Sequence, residues 1–580
     1  MWDQFLRLLG HWKLLTGRKI LFAPHILGRR EKILFLLLAV VVLVSGSLLA
    51  GRLFLLLTKP IPRVSSSYAE GILHQPRTIN PLIALSDADR DISRLVFSGL
   101  LSYSGAGAVE PDLALRYEVS ADAKIYTVAL RQDARWHDDE PVTADDVLFT
   151  VAAIQNPQYK SPLRVNWQGV EAEKIDQHTV RFSLRSSYAP FIENLTVGIL
   201  PKHLWGNIAP SQMILHELNI KPVGSGPYAF DDFGKENDGK ILWYRLARNP
   251  RYYREGPFLK TVTFYFFENE EDMASAWQKR IIEGYGPVPE TRREEILRRR
   301  ESRLLSLPMP RIFGIFFNKQ KNPILADAAV RRAIAYAVDR DAVAAKTFSG
   351  GASPMDAALP SGYGIPEKDD PPAFDPKKAA EILDKAGWKD DDGDGTREKI
   401  LKKKGKSETA VLRFTLTTSD WPDLLAAAEA IRGTLRNAGI DVTIEKKPFT
   451  ELESAVIRPR NFELLLFGQV YGYEVDPFPF WHSSQIKDPG LNITSYSQKT
   501  VDRLLEEARR TTDSAARAEK LSAFEDVVGK DIPAVFLYSQ RYLYLLPADM
   551  QGVGLSRIVL PADRFNSIHG WYRKTWRVFK

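Results

Sequence analysis

LRFTLTTSDWPDLLAAAEAIRGTLRNAGIDVTIEK, residues 412–446, reads as strand, helix, strand: Leu412 to Thr417 extended, a helix near Leu424 to Asn437, then Asp441 to Lys446 extended. A β-α-β unit of this kind places the surrounding chain in the α/β class. Working outward toward the C-terminus, Phe462 to Phe467 reads as a buried strand, Val501 to Thr511 and Arg517 to Val528 as helices, and Ala534 to Leu546 as a returning strand. In the other direction, Pro376 to Ala386 is a helix stopped by Gly387, and Asp327 to Phe348 a long amphipathic helix with Val330, Ile334, Ala337 and Val338 on one face. Further back lie a strand at Ile312 to Phe317, a strand at Val262 to Phe267 with a helical segment from Glu270 to Ile282, and a strand at Ile125 to Leu130. Thr143 and Asp146 have capping-box spacing and open a helix that runs to about Ile154. Strands and helices alternate throughout, and no fixed-period repeat interrupts them.

At 580 residues the chain is long enough for roughly three or four domains. Its net charge of +7 is local. Residues 1–63 carry ten Lys/Arg against two Asp/Glu, and the remaining residues carry 69 against 70. The large part of the chain is thus near neutral and lacks the basic footprint of a nucleic-acid binder. The excess flanks an apolar run. Ile33 to Gly51 holds nineteen residues without a charge, about 28 Å as a helix and close to the thickness of a bilayer core. Arg29, Arg30 and Lys32 precede it, with Arg18 and Lys19 further back, so the positive-inside rule puts the N-terminus in the cytoplasm and the main body outside.

The run is longer than a signal-peptide core and begins late, which favours an uncleaved anchor. Leu49-Ala50-Gly51 resembles the start of a lipoprotein box, but Arg52 stands where the lipid-bearing Cys belongs, and the chain has no Cys. Trp2, Phe5, Leu6, Leu9 and Trp12 recur at helical spacing, either as an interfacial helix or as a short apolar tail without fixed structure. Residues 1–32 are then a cytoplasmic basic segment, 33–57 a transmembrane anchor, and 58–67, with PIPRVSSS, a Pro/Ser linker.

Enzyme-like fragments fail on context, and neither an enzymatic activity nor a cofactor is expected. Gly405-Lys406-Ser407 ends like a phosphate loop, but Ile400 occupies the position of the upstream Gly, and Lys402, Lys403 and Lys404 suit a solvated hairpin tip. Ser484 and Lys487 have S-x-x-K spacing without a K-T-G partner. Gly224-Ser225-Gly226 reads as a tight turn before a strand at Tyr228, and the nine His show no zinc spacing. Trp136 and His137 suit a structural turn into the capped helix, and Arg331 and Arg332 the solvated side of theirs. Asp390, Asp392 and Asp394 with Glu398 match part of a calcium loop, but Leu401 takes the place of its bidentate carboxylate. An acidic turn is the stronger reading.

RTINPL (78–83), RWHDDEPVTADDVLFT (135–150), PVGSGPYAF (222–230), DAAVRRAIAYAVDRDAV (327–343), AAEILDKAGWKDDDGDG (379–395) and NITSYSQKTVDRLLEEA (492–508) occur in this order. Together they resemble the peptide/oligopeptide-binding extracytoplasmic receptors of ABC importers, the family 5 solute-binding proteins. The resemblance implies a two-lobed, periplasmic-binding-protein-like α/β fold that encloses a ligand as the lobes close. Its lobes would be discontinuous: 68–310 with 535–580 as the first, carrying an inserted subdomain at about 95–205, and 311–534 as the second. The chain would cross between them near Pro310–Phe317 and Ile532–Tyr538. The partners implied are a peptide or other small solute and an ABC permease, with the lipid bilayer through the N-terminal helix. The alternative is a membrane-anchored sensor or envelope chaperone that uses the same fold without transport.

FGQVYGYEVDPFPFWHSSQ (467–485) puts six aromatic rings into nineteen residues, mixed with the loop residues Gly, Asp-Pro and Ser-Ser. Peptide-binding members of the resembled family place an Asp four residues before the Pro of an acidic-Pro pair, where it meets the ligand's α-ammonium. Here the pair is Asp476-Pro477, and the matching position is Tyr473. Glu474, one residue on, is the substitute carboxylate. The candidate ligand-binding residues are Tyr471, Tyr473, Glu474, Phe480 and Trp481; for Phe478, Phe480 and Trp481 packing at the base of the second lobe is the competing role.

Overall fold

The computed structural model describes residues 28–362, 365, 373–403 and 406–580. The helical spacing from Trp2 to Trp12, and Lys404 and Gly405 at the hairpin turn, lie outside the described residues. The chain forms two compact units, one from the described residues up to Arg63 with Lys574–Lys580, the other Val64–Arg573.

In the smaller unit, the helix Arg29–Leu57 contains a stretch, Lys32–Leu57, long and apolar enough to cross a membrane. It runs directly into a strand, Thr58–Pro62, antiparallel to Thr575–Phe579. Part of the Pro/Ser segment read as a linker is therefore paired, because the extended backbone that Pro favours also suits an edge strand.

The larger unit is built on one continuous sheet. Its strand order is Asp441–Lys447, Arg413–Ser419, Leu464–Val470, Ser302–Phe317, Ala534–Pro547, Gly284–Tyr285, Ser66–Leu73, Leu259–Phe267, Ile241–Arg248 and Tyr228–Lys235. Strands Arg413–Ser419 and Asp441–Lys447 pair in parallel across the helix Pro422–Arg436, as the β-α-β reading requires. Two long antiparallel strands, Ser302–Phe317 and Ala534–Pro547, occupy the middle of the sheet and belong to more than one core. Leu307, Met309, Tyr542 and Tyr544 enter a first core with Tyr68, Leu95 and Trp136. Beyond the crossing, Phe313, Ile315 and Phe317 face a second core with Val330 and Leu424, while Ile312 and Phe316 face a third with Trp481 and Phe524. The two-residue period of a strand thus divides its side chains between the two faces. The ladder shifts register between Pro308 and Ile312, where Pro308 and Pro310 have no amide to donate.

A separate four-stranded sheet, ordered Ala114–Val119, Ile125–Leu130, Thr179–Leu184 and Val170–Asp176, carries the helix Ala144–Gln155 with its Thr143/Asp146 capping box. Trp136 is buried, and the His137 ring accepts from Gly224 N–H through Nδ1 (3.2 Å) while Nε2 lies 3.1 Å from Gly226 O, which confirms a structural turn. A Cβ at Gly224 would lie 1.9 Å from Val96 O, so only Gly fits that approach.

Three sequence expectations are corrected. The long 327–348 helix is two helices, Ala328–Ala337 and Arg340–Ala345, because Asp339 leaves the helical conformation and caps the second, accepting from Ala342 N–H at 2.9 Å. The helix at Glu270 ends at Gln278, before Arg280 takes a positive φ of 62°. Arg331 is buried, unlike Arg332: its guanidinium donates to Leu325 O (2.8 Å), Ala326 O (2.9 Å) and Asp531 O (2.9 Å), satisfying carbonyls at the ends of two other helices, Pro323–Ala326 and Ser514–Asp531.

Arg564, 1% exposed, ties the first core together. It donates from Nε to Glu70 at 3.0 Å and from Nη1 to Asp91 at 3.0 Å, and both carboxylates are buried. The Tyr544 hydroxyl, with that of Tyr68, donates to the other Glu70 oxygen. Burial pushes Asp91 up to about 7 and raises Glu70, and the guanidinium opposes both shifts. Replacing Arg564 by Met leaves two carboxylates in a dry site without a cation. The expected outcome is a loss of about 3–5 kcal/mol in urea unfolding of the full chain in detergent. Adding Glu70→Gln and Asp91→Asn to that variant should recover part of the loss.

Candidate functional site

The strand Leu464–Val470 delivers the aromatic stretch to the edge of the crossing. Its first residue beyond the strand, Tyr471, donates its N–H to Pro310 O at 2.9 Å, beside the register shift. Tyr471 is buried, and its hydroxyl donates to Ala358 O at 3.0 Å. Phe480 meets the Tyr471 ring edge-on at 5.1 Å. Trp481, 0% exposed, packs against Tyr496, Phe524 and Phe536. These three rings form the base on which the loop stands.

Tyr473 reaches the other side. Only 6% exposed, it stacks on Tyr103 at 3.9 Å with 28° between the planes. Asn566 Nδ2 donates to its hydroxyl at 3.4 Å, and the Arg557 guanidinium lies 5.9 Å from its ring centroid. Glycine makes the approach possible at two places. Gly107 has φ +76°, and a Cβ there would lie 2.8 Å from the Tyr473 ring. A Cβ at Gly472 would lie 2.5 Å from the Glu193 carboxylate.

Charges in the same place are already partnered. Glu474 pairs with Arg517, and its N–H donates to Glu193 Oε1 at 2.5 Å. Asp476 accepts from Arg509 at 2.6 Å, and the Arg509 guanidinium lies 3.7 Å from the Phe478 ring and 5.2 Å from that of Tyr188. Desolvation pushes Glu193 up to about 7, against a hydrogen bond from Tyr103 that lowers it.

Next to Tyr473 lies a cavity of about 360 Å³ in the first core. Its polar lining includes Arg94, Ser98, Asp112, Arg254, Asn566 and His569. Asn566 therefore belongs to both the cavity and the Tyr473 contact. Arg94 is paired with Asp563 at 3.1 Å, Arg254 with Glu110 at 2.5 Å, and burial holds His569 down at about 4, neutral at pH 7. Its size lies in the range of small-ligand pockets.

The structure thus brings Tyr471, Tyr473, Glu474 and Phe480 together, with Trp481 beneath them. Tyr103, Glu193, Arg517, Asn566 and Arg557 were not found by sequence reasoning. They stand up to several hundred residues from the loop, and none sits in a motif. The calcium candidates form a separate turn. Oxygens of Asp390, Asp392 and Glu398 lie within 4.8 Å of one another, each carboxylate accepting from a loop N–H. Asp394 stands outside this group and accepts from Thr396 N–H at 2.7 Å.

Residues 108–488 match the family model of bacterial extracellular solute-binding proteins, family 5 Middle. The oligopeptide-binding protein AppA of Bacillus subtilis is 27% identical over 501 residues, 85% of this chain and 89% of AppA. The dipeptide-binding protein of Escherichia coli is 25% identical over 492 residues, 80% of this chain and 87% of its own. The structure of Bacillus subtilis AppA in complex with a nonapeptide superposes with a TM-score of 0.65 at 25% identity, covering 89% of this chain and all of AppA.

The raised Glu193 has a defined consequence. The folded state holds a proton up to about pH 7 that the unfolded state releases near 4.5, so Glu193 lowers stability as pH rises across that window. Glu193→Gln should match the parent in thermal unfolding at pH 5 and exceed it at pH 8. An offset that is the same at both values would refute the assignment.

Proposed function

We propose that this chain, which belongs to the bacterial extracellular solute-binding proteins of family 5, captures a peptide-like solute between two lobes and delivers it to an ABC permease. Binding, with no covalent step, is the activity. Residues 68–310 with 535–573 form the first lobe, including the subdomain at about 95–205, and 311–534 the second. Strand Thr575–Phe579, expected in the first lobe, pairs instead with Thr58–Pro62 in the smaller unit. The lobes hinge where Pro308–Ile312 and the facing strand break register. The apolar helix is an anchor, with residues 1–32 cytoplasmic and the body outside.

The observation that carries this reading is the Tyr473 loop. It is rooted beside the Pro308–Ile312 break and contacts Tyr103, Glu193 and Asn566 across the crossing, next to the cavity of about 360 Å³. A ligand that touches both sides favours closure in proportion to its preference for the closed state. The AppA relative, whose solved complex holds a nonapeptide, supports a peptide as the solute.

The loop also bears on the kind of peptide. Tyr473 is neutral, and Glu474 is occupied by Arg517, so no free carboxylate of this loop awaits an α-ammonium. A buried ammonium without a counter-charge is disfavoured. The chain should therefore bind the N-acetylated form of a peptide at least as tightly as the free-amine form. Tyr473→Asp should introduce about a tenfold preference for the free amine, equivalent to about 1.4 kcal/mol. Calorimetric titration of the full chain with paired peptides measures both. No binding across a diverse peptide panel would refute the solute class. An unchanged ratio in Tyr473→Asp would refute the assigned register.

A further inference from the structure

The smaller unit holds a feature that solute binding does not use. Strand Thr58–Pro62 pairs with Thr575–Phe579 so that Thr58 faces Phe579 and Ile61 faces Trp576. This two-stranded ribbon is fastened to the end of the apolar helix. Arg577 Nη2 donates to Leu55 O at 3.0 Å and Thr58 O at 2.9 Å, its Nε to Thr58 Oγ1 at 2.8 Å, and Lys580 N–H to Leu57 O at 2.9 Å. The last carbonyls of a helix need such donors, and a cation there also suits the helix dipole.

The surface of the ribbon is unlike that of a water-facing hairpin. Trp576 is 56% exposed and Phe579 75%. Strand alternation puts Trp576 and Val578 on one face with Lys59 and Ile61. The Arg63 guanidinium lies 5.9 Å from the Trp576 ring. Lys59, Arg63, Lys574 and Lys580 are exposed, and no acidic residue occurs in 52–63 or 573–580. Pro60 and Pro62 remove amide donors from one strand, which disfavours recruitment of a further strand from a protein partner. Amphipathic rings beside cations, at the end of an apolar helix, fit the layer where lipid headgroups meet water. Cations without neighbouring acids suit anionic phosphates there.

We propose that the ribbon 58–62/575–579 is a membrane-surface foot, lying in the headgroup layer with Trp576 inserted and Lys59, Arg63, Lys574 and Lys580 on anionic phospholipid. The proposal rests on the reading of the helix as an anchor. It adds that the segment leaving the helix is a paired, lipid-binding ribbon in place of a free linker.

The absence of Cys makes site-specific labelling direct. The full chain carrying Val578→Cys, or Leu215→Cys at a body position 89% exposed, would be nitroxide-labelled and placed in nanodiscs of 3:1 phosphatidylcholine to phosphatidylglycerol. Relaxation by dissolved oxygen relative to a water-soluble nickel chelate reports depth. At position 578 the ratio should exceed that at 215 several-fold. It should fall toward the 215 value in pure phosphatidylcholine or when Lys59, Arg63, Lys574 and Lys580 are all changed to Gln. In the unlabelled chain, doxyl-lipid should quench a share of the Trp emission that Trp576→Phe removes. A 578 label as open to the chelate as the 215 label, with no Trp576-dependent quenching, overturns the foot while the chain stays in the disc. Failure of the chain to enter discs at all overturns the anchor reading and the foot with it.

Discussion

The larger unit depends on one constraint: two antiparallel strands, Ser302–Phe317 and Ala534–Pro547, must serve the cores on both sides of a single crossing. A sheet that runs unbroken through the middle of the molecule would be stiff. Pro308 and Pro310 prevent that by withholding two amides where the chain passes from one core to the next. The register shift lies where the two strands pass from one core to the next. Ser539 Oγ, donating to Met309 O at 2.9 Å, keeps the two strands together across the gap.

The Tyr473 loop is coupled to that same point through Tyr471 N–H and Pro310 O. Ring stacking on Tyr103 and the Glu474–Arg517 pair are therefore contacts between the two sides. Stacked rings contribute about 0.5–1.5 kcal/mol beyond their buried area. Arg517 sits among Glu474 and Glu193, so movement of the loop changes the electrostatic surroundings of a carboxylate on the opposite side. The loop, its root on Pro310 and the Arg517 pair thus form one connected set of contacts.

Much of this was legible in the sequence where the signal is local. The β-α-β unit, the Thr143/Asp146 box, the Gly387 stop and the Gly224–Gly226 turn depend on neighbours a few residues apart, and each stands where expected. The 327–348 helix was overextended because apolar periodicity continues through Val338, while Asp339 prefers to cap. Arg331 was misplaced for a related reason: helical spacing gives a direction, but not whether carbonyls from residues 531 and 532 will be waiting there. The site was only half visible. Tyr473 and Glu474 belong to a segment with a recognisable pattern, whereas Tyr103, Glu193 and Asn566 are fixed by the crossing topology, which no short window contains.

The buried Arg564 network has a consequence beyond the strength of the native state. Glu70 and Asp91 are made early in the chain, and their cation is made some 470 residues later. Until it arrives, the strand Ser66–Leu73 and the helix Asp87–Val96 would have to bury two carboxylates without a counter-ion, which the dry interior forbids. In the continuous segment between the two long strands, Arg331 waits in the same way for the carbonyls of Asp531 and Ile532, some 200 residues on. The first core can therefore be completed only when nearly the whole chain is present.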